Sequence, residues 1–401
     1  MRSPSVSHLM FADDSIIFIN AASRSVNGLI KVLEKYSHWS GKVINKSKSN
    51  FYISSGTSAS RIQNTGQVLG MQHGDLPMPY LGTPLSSRRL CICDFDYLVS
   101  SLTEQVLNWK NKYLSFGGRI ALVNSMLLSS PIHALSAIKV PKGVIRRMAH
   151  IFAGFIWDPA CDGKRHWASW QRIARPIGDG GINIGSLNAN LSCMHAKLAW
   201  EVLERRTLWE ITMHNSFLSD GAARNSHHSP LWADISSLVN LLRPHSRWIV
   251  GKGEVSFWND NWSGAVLAYA GCPVTNISFR EARNYPNFTN AILDKGQQDQ
   301  LQLIELSSSP DRCVFTTSPM GSFSSMDYFR IISRPTLEDT FNEVLWTKSI
   351  QTKYNFLTWR IWNKSVPTDE NIKRCGVLLA SKCVCCRKHQ EETSMHLLFA
   401  S

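Results

Sequence analysis

Two adjacent carboxylates, Asp13 and Asp14, lie between two short apolar runs in the stretch from His8 to Asn20. Side chains in a strand alternate faces, so neighbouring aspartates share one environment only where the backbone turns. The pattern predicts a β-hairpin with the pair at its tip. After it, Val26, Leu29, Ile30, Leu33 and Tyr36 recur at helical spacing from Ser25 onward, with Gly41 placed for a left-handed C-cap. Val43 to Ser54 then returns to a strand-like pattern.

From Asp96 to about Trp157 the spacing is mainly helical, and breaks at Gly117-Gly118, Pro131 and Pro141 divide it into three or four helices. Gly178 to Gly185 is a turn-rich breaker before another helical stretch, Asn188 to Arg206. Ser216 to Ser229 is polar and aperiodic and reads as a loop. Trp248 to about Pro319 looks irregular, and helical pattern returns at Thr340 to Trp362. The fold class expected is α+β, helix dominant.

With 401 residues, 43% of them hydrophobic, the chain can bury two or three cores. Forty-three Lys and Arg against thirty Asp and Glu give a formal charge of +13, a balance that suits a polyanionic partner or simply a solvated basic surface. Ten Cys without a secretory leader point to a reduced, intracellular chain, in cytoplasm or nucleus. No segment reaches the roughly 18 uninterrupted apolar residues of a membrane span, so no membrane partner is expected. Oligomeric state is not legible.

Two groups of residues carry possible chemistry. Nucleotidyl transfer uses two divalent cations about 4 Å apart, held by clustered carboxylates. Asp13 and Asp14 are candidates, the alternative being a solvent-facing turn. At the other end, Cys383-x-x-Cys386 followed by His396 offers sulfur and imidazole at a spacing that tetrahedral Zn²⁺ accepts, the alternative being a reduced thiol cluster. Cys91, Cys93, Cys161, Cys193, Cys272 and Cys313 are scattered and read as core or incidental.

His8-Leu-Met-Phe-Ala-Asp-Asp14 resembles the catalytic hairpin of plant non-LTR (LINE-type) retrotransposon reverse transcriptases, and further segments agree with that family in order. Asn45-Lys-Ser-Lys48-Ser49 is similar to its lysine-bearing palm motif, and Tyr80-Leu-Gly-Thr-Pro-Leu85 to its primer-grip segment. Trp109, Leu114-Ser-Phe-Gly-Gly-Arg119 and Pro131 resemble the opening of its helical thumb. Gly251-Lys-Gly253 with Trp258-Asn-Asp-Asn-Trp262 resembles a later block. Asn355-Phe-Leu-Thr-Trp-Arg360 and Glu392-x-x-x-His396-Leu-Leu-Phe resemble its C-terminal zinc-binding domain.

The resemblance implies four regions: a partial palm over 1–90, a helical thumb over 91–215, a connector of uncertain fold over 216–325, and a zinc-binding domain over 326–401. It makes Asp13 and Asp14 ligands of Mg²⁺ or Mn²⁺ and puts Lys48 near nucleotide phosphates. It also places Tyr80 and Arg119 on nucleic acid, with an RNA template and a DNA primer as partners. It makes Cys383, Cys386 and His396 zinc ligands, with Ser401 standing where the family's fourth ligand, a Cys, belongs. The family's other metal-binding aspartate lies on an earlier strand, and twelve residues precede Asp13. The expectation is therefore a reverse transcriptase fragment inactive on its own, the alternatives being a non-catalytic RNA- or DNA-binding remnant or a rarely translated product.

Overall fold

Helices dominate because the apolar residues recur mostly at helical spacing and the strand-forming runs are short. The computed structural model describes residues 6–54, 56–109, 114–157, 166–218, 230–267, 277–284, 295–332, 344–347, 349–384, 386 and 390–397. The chain begins with the hairpin β1 (His8–Phe11) and β2 (Asp14–Ile17), then α1 (Ser23–Ser40), β3 (Asn50–Phe51) and α2 (Ala59–Leu69). Short strands β4 (Gln72–His73), β5 (Met78–Tyr80) and β6 (Thr83–Leu85) follow. Next come α3 (Asp96–Asn108), α4 (Phe116–Leu122), α5 (Ile132–Ser136), α6 (Lys142–Trp157), α7 (Trp170–Ile173) and α8 (Leu187–Glu204). Then follow α9 (Leu208–Phe217), α10 (Pro230–Leu242), β7 (Ser246–Ile249), α11 (Phe279–Arg283) and α12 (Lys295–Leu303). The described elements end with β8 (Arg312–Phe315), α13 (Ser325–Ile332), α14 (Thr352–Trp362) and α15 (Asp369–Arg374). Among the described residues no helix is long and apolar enough to cross a membrane.

The chain divides into two compact units, one of Met1–Leu90, Glu201–His227 and Trp248–Cys313, the other of Cys91–Trp200, His228–Arg247 and Val314–Ser401. In the first, the expected hairpin and the α1 helix are present, and Gly41 caps α1 at φ 67° with its N–H on the Ser37 carbonyl. The strand expected over Val43 to Ser54 shrinks to β3, paired in parallel with β4. Asn45 explains the difference. Its side-chain oxygen accepts from the Lys48 N–H (3.2 Å) and the Ser47 hydroxyl (2.7 Å), a local turn that withholds the backbone from a ladder until Asn50.

The stretch from Trp248, irregular in its sequence pattern, contains a packed aromatic centre. Phe257, Trp258, Trp262 and Phe279 are at most 1% exposed, and the Trp262 indole N–H donates to the Phe257 carbonyl at 2.8 Å. Around it the Asp311 carboxylate accepts four backbone N–H groups, from Gly251 (2.6 Å), Gly253 (2.9 Å), Glu254 (2.6 Å) and Val255 (3.0 Å). Both glycines are required: a Cβ on Gly251 falls 2.2 Å from the Ser309 carbonyl oxygen, and Gly253 sits at φ 77°. Arg205 pairs with the buried Asp260 and lies over the Trp248 ring. Cys313 is buried beside them, and that burial, reinforced by the Asp260 charge, pushes its thiol well above the ordinary range. It packs as a core residue, as does Cys193, whereas Cys91 and Cys93 are exposed.

In the second unit α6 buries Val144, Met148, Phe152, Phe155 and Ile156 and packs against α3 and α4. Gly117 and Gly118 do not break a helix here; they form the first turn of α4. The Ser115 hydroxyl caps that turn by accepting the Gly118 N–H at 3.1 Å, and a Cβ on Gly117 would meet the Phe356 ring at 3.2 Å. α14 is anchored by Trp359, 1% exposed, whose indole N–H donates to the Gly180 carbonyl at 2.8 Å. Most of the polar stretch Ser216 to Ser229 lies outside the described residues.

Asp311→Asn keeps the side-chain shape but removes the charge and turns an amide donor toward backbone donors. It is expected to lower unfolding free energy by about 2–4 kcal/mol, since hydrogen bonds to charged groups are each worth about 1.5–3 kcal/mol and do not add fully. Urea denaturation followed by tryptophan fluorescence checks this; an unchanged midpoint contradicts the role given to Asp311.

Candidate metal centre

The ligand cluster is built from two short pieces of backbone. The Cys383 N–H donates to the Gln390 carbonyl at 2.7 Å, closing the loop that carries Cys386. Thr393 then starts a helical turn: its hydroxyl accepts the His396 N–H at 3.0 Å and its carbonyl the Leu397 N–H at 2.9 Å. The turn aims the imidazole back at the loop, with His396 Nε2 3.1 Å from Cys386 Sγ. Ligand atoms of Cys383, Cys386 and His396 all lie within 4.8 Å of one another. Zn–S bonds of about 2.3 Å and Zn–N bonds of about 2.0–2.1 Å place tetrahedral ligand atoms roughly 3.5–3.8 Å apart, so the cluster fits zinc with little adjustment.

Burial favours a structural role. Cys383 is 1% exposed and His396 8%, with Cys386 half-buried. Bound there, Zn²⁺ supplies a cross-link between loop and turn, and the segment between the ligands holds α15. The Glu370 N–H donates to the Glu392 carbonyl (3.2 Å), Lys373 pairs with Glu391 (2.6 Å), and the Glu392 N–H meets the Ser381 hydroxyl (2.9 Å). Cys385, His389 and Ser401 lie outside the described residues, and Cys375 is exposed and apart from the cluster. Thr393 was not among the expected site residues, although a Thr three residues before the His is an N-cap signal.

The other expected site residues fall in separate places. Ala12 and Asp13 form the two-residue turn of the β1–β2 hairpin, and Asp14 opens β2 opposite Phe11. Ala12 adopts φ 52°, a conformation that costs a residue with a Cβ about 1 kcal/mol or more. Both aspartates are exposed, and among the described residues they gather no third His, Cys, Asp or Glu. Lys48 is exposed in the Asn45 turn, and among the described residues no ion pair joins it to either aspartate. Tyr80 ends β5, half-buried, before a turn with Leu81 and Gly82 at positive φ.

Arg119 faces the protein. Its Nη1 donates to the Ile156 carbonyl (2.8 Å) and its Nε to the Leu114 carbonyl (3.3 Å). Neighbouring Arg360 lies against Phe116 and Trp157 and donates to the Ser365 carbonyl. Burial, with the Arg119 charge nearby, lowers its guanidinium from the ordinary range.

The purified chain is expected to hold zinc, and Cys386→Ser or His396→Ala to weaken that binding at least tenfold and lower the thermal midpoint. Acid should release the metal, because protons compete for thiolate and imidazole. Competition with a colorimetric chelator and thermal melting check this; unchanged zinc retention in both variants contradicts it.

Comparison with known proteins agrees with the chemistry of the cluster. Residues 323–401 match the family described as zinc-binding in reverse transcriptase. A protein of Arabidopsis thaliana, named as a candidate ribonuclease H, is 23% identical over 353 residues, which cover 79% of this chain. The match spans 55% of that relative's length. The C-terminal match likens residues 323–401 to the zinc-binding region of reverse transcriptases.

Proposed function

We propose that this chain is the zinc-bearing, nucleic-acid-binding portion of a non-LTR retrotransposon reverse transcriptase, acting on RNA template and primer without catalysing phosphoryl transfer through its own residues. The zinc cluster at the C-terminus is the observation that carries this reading. It is supported by the charge of +13 and by the order of the palm- and thumb-like segments before the cluster. In this proposal the chain works in cytoplasm or nucleus, where polyanionic partners and reduced thiols coexist.

The hairpin sets the limit on catalysis. In-line displacement of a phosphoryl group needs metal ions bridged by several carboxylates, and Asp13 and Asp14 draw in no third ligand among the described residues. The residues described do not fit a Mg²⁺ or Mn²⁺ pair, so no catalytic step is assigned to them. Nuclease action, as the relative's name suggests, needs metal ligands of the same kind. Among the described residues the group of three or more such side chains is Cys383, Cys386 and His396, whose sulfur and imidazole donors suit zinc.

The test pairs binding with synthesis. RNA and primer-template should be retained by the full chain with affinity that falls steeply as salt rises. Primer extension with Mg²⁺ or Mn²⁺ should stay at background, and Asp13→Asn should change neither result. Template-dependent extension abolished by Asp13→Asn would establish the polymerase reading instead.

A further inference from the structure

Within the second unit a cleft of about 630 Å³ opens between α7 with its following turn and the segment from the end of α14 through α15. It shares no ligand with the zinc cluster or the hairpin. Its volume lies in the range of small-ligand sites, on the order of 300–1,000 Å³. Arg172, Arg175, Lys364 and Arg374 line it against the single carboxylate of Asp179. All four cations are exposed, Arg374 while also bonded to Glu370 at 2.7 Å. Trp362, another lining residue, is 65% exposed at the end of α14.

The two walls are fixed to each other. The Trp359 indole bonds the Gly180 carbonyl, joining α14 to the turn after α7. That turn closes so tightly that a Cβ on Gly181 would lie 1.9 Å from the Arg175 carbonyl oxygen, which pins the main chain of Arg175. Lys364 adopts φ 51°, where glycine is the less strained choice, so a cation is kept at the cleft at some conformational cost.

We propose that this cleft binds a single-stranded segment of nucleic acid, its phosphates on Arg172, Arg175, Lys364 and Arg374 and an unpaired base stacked on Trp362. The assignment rests on the nucleic-acid reading given above and names its surface. Clustered guanidinium groups suit phosphate oxygens, which they bond in bidentate fashion. An exposed indole beside them adds a stacking platform, and only a base released from a duplex offers a free face to it. No local sequence pattern signals this site, because its cations come from two stretches about 190 residues apart that only folding brings together.

The experiment is fluorescence anisotropy of labelled oligo-U, oligo-dT and a duplex with the full chain across a salt series. Arg175→Glu with Lys364→Glu should weaken single-strand binding at least tenfold and flatten the salt dependence by about 0.7 for each phosphate no longer neutralised. Trp362→Ala should weaken it about tenfold with the salt slope unchanged, and Trp362→Phe should restore most of the loss. The neutral pair Arg175→Gln with Lys364→Gln gives the same direction of change should the charge reversal lower the thermal midpoint. Variants that match the parent in affinity overturn the cleft and leave the broader reading standing. A parent that binds neither oligonucleotide at low salt overturns both, and variants that lose only duplex binding overturn the single-strand assignment.

Discussion

Among its described residues the C-terminal segment buries several polar groups, and that is the constraint from which its organisation follows. Ser365, Thr368, Asn371 and His396 are all at most 8% exposed, near the buried apolar side chains of Leu345 and Trp359. Buried polar groups of this kind hold their places through hydrogen bonds, which add little net stability each. A segment so composed gains most from a cross-link, and the approach of Cys383, Cys386 and His396 supplies one. Because α15 is tied to the residues between those ligands, the cross-link also bears on where Arg374 is presented.

Net charge alone misjudges what this protein offers a polyanion. Several arginines are turned inward as hydrogen-bond donors: Arg119 to Ile156 and Leu114, Arg283 to Ile304, Arg360 to Ser365, and Arg205 to Asp260. The first three brace main-chain carbonyls and the last a buried carboxylate, as Asp311 braces main-chain N–H groups with the opposite sign. The cations that remain directed to solvent are therefore more informative than the total of +13. Those around the cleft stand on a frame with little freedom to rearrange, which lowers the ordering cost of binding.

Legibility of the sequence varies with how local the physics is. The hairpin, the α1 helix and its Gly41 cap depend on neighbouring residues, and they are visible as pattern. So is the spacing of Cys383 and Cys386, because a metal knuckle is a local structure. Two local signals mislead: the Asn45 side chain delays the expected strand until Asn50, and Gly117 and Gly118 sit in the first turn of α4, Gly117 packed close to Phe356, instead of breaking a helix. The Asp311 cradle is invisible in sequence, since it joins backbone near Gly251 to a carboxylate about sixty residues later. Inward use of Arg119 is equally hidden, because a basic residue looks the same in sequence whether it meets phosphate or carbonyl.

X-ray absorption at the zinc edge of the purified full chain tests the central claim most directly, because it reads the ligand atoms themselves. Two sulfurs at about 2.3 Å with imidazole nitrogen at about 2.0–2.1 Å are the predicted first shell. A shell of oxygen and nitrogen without sulfur, or a protein that takes up no zinc when refolded with it, would contradict the account.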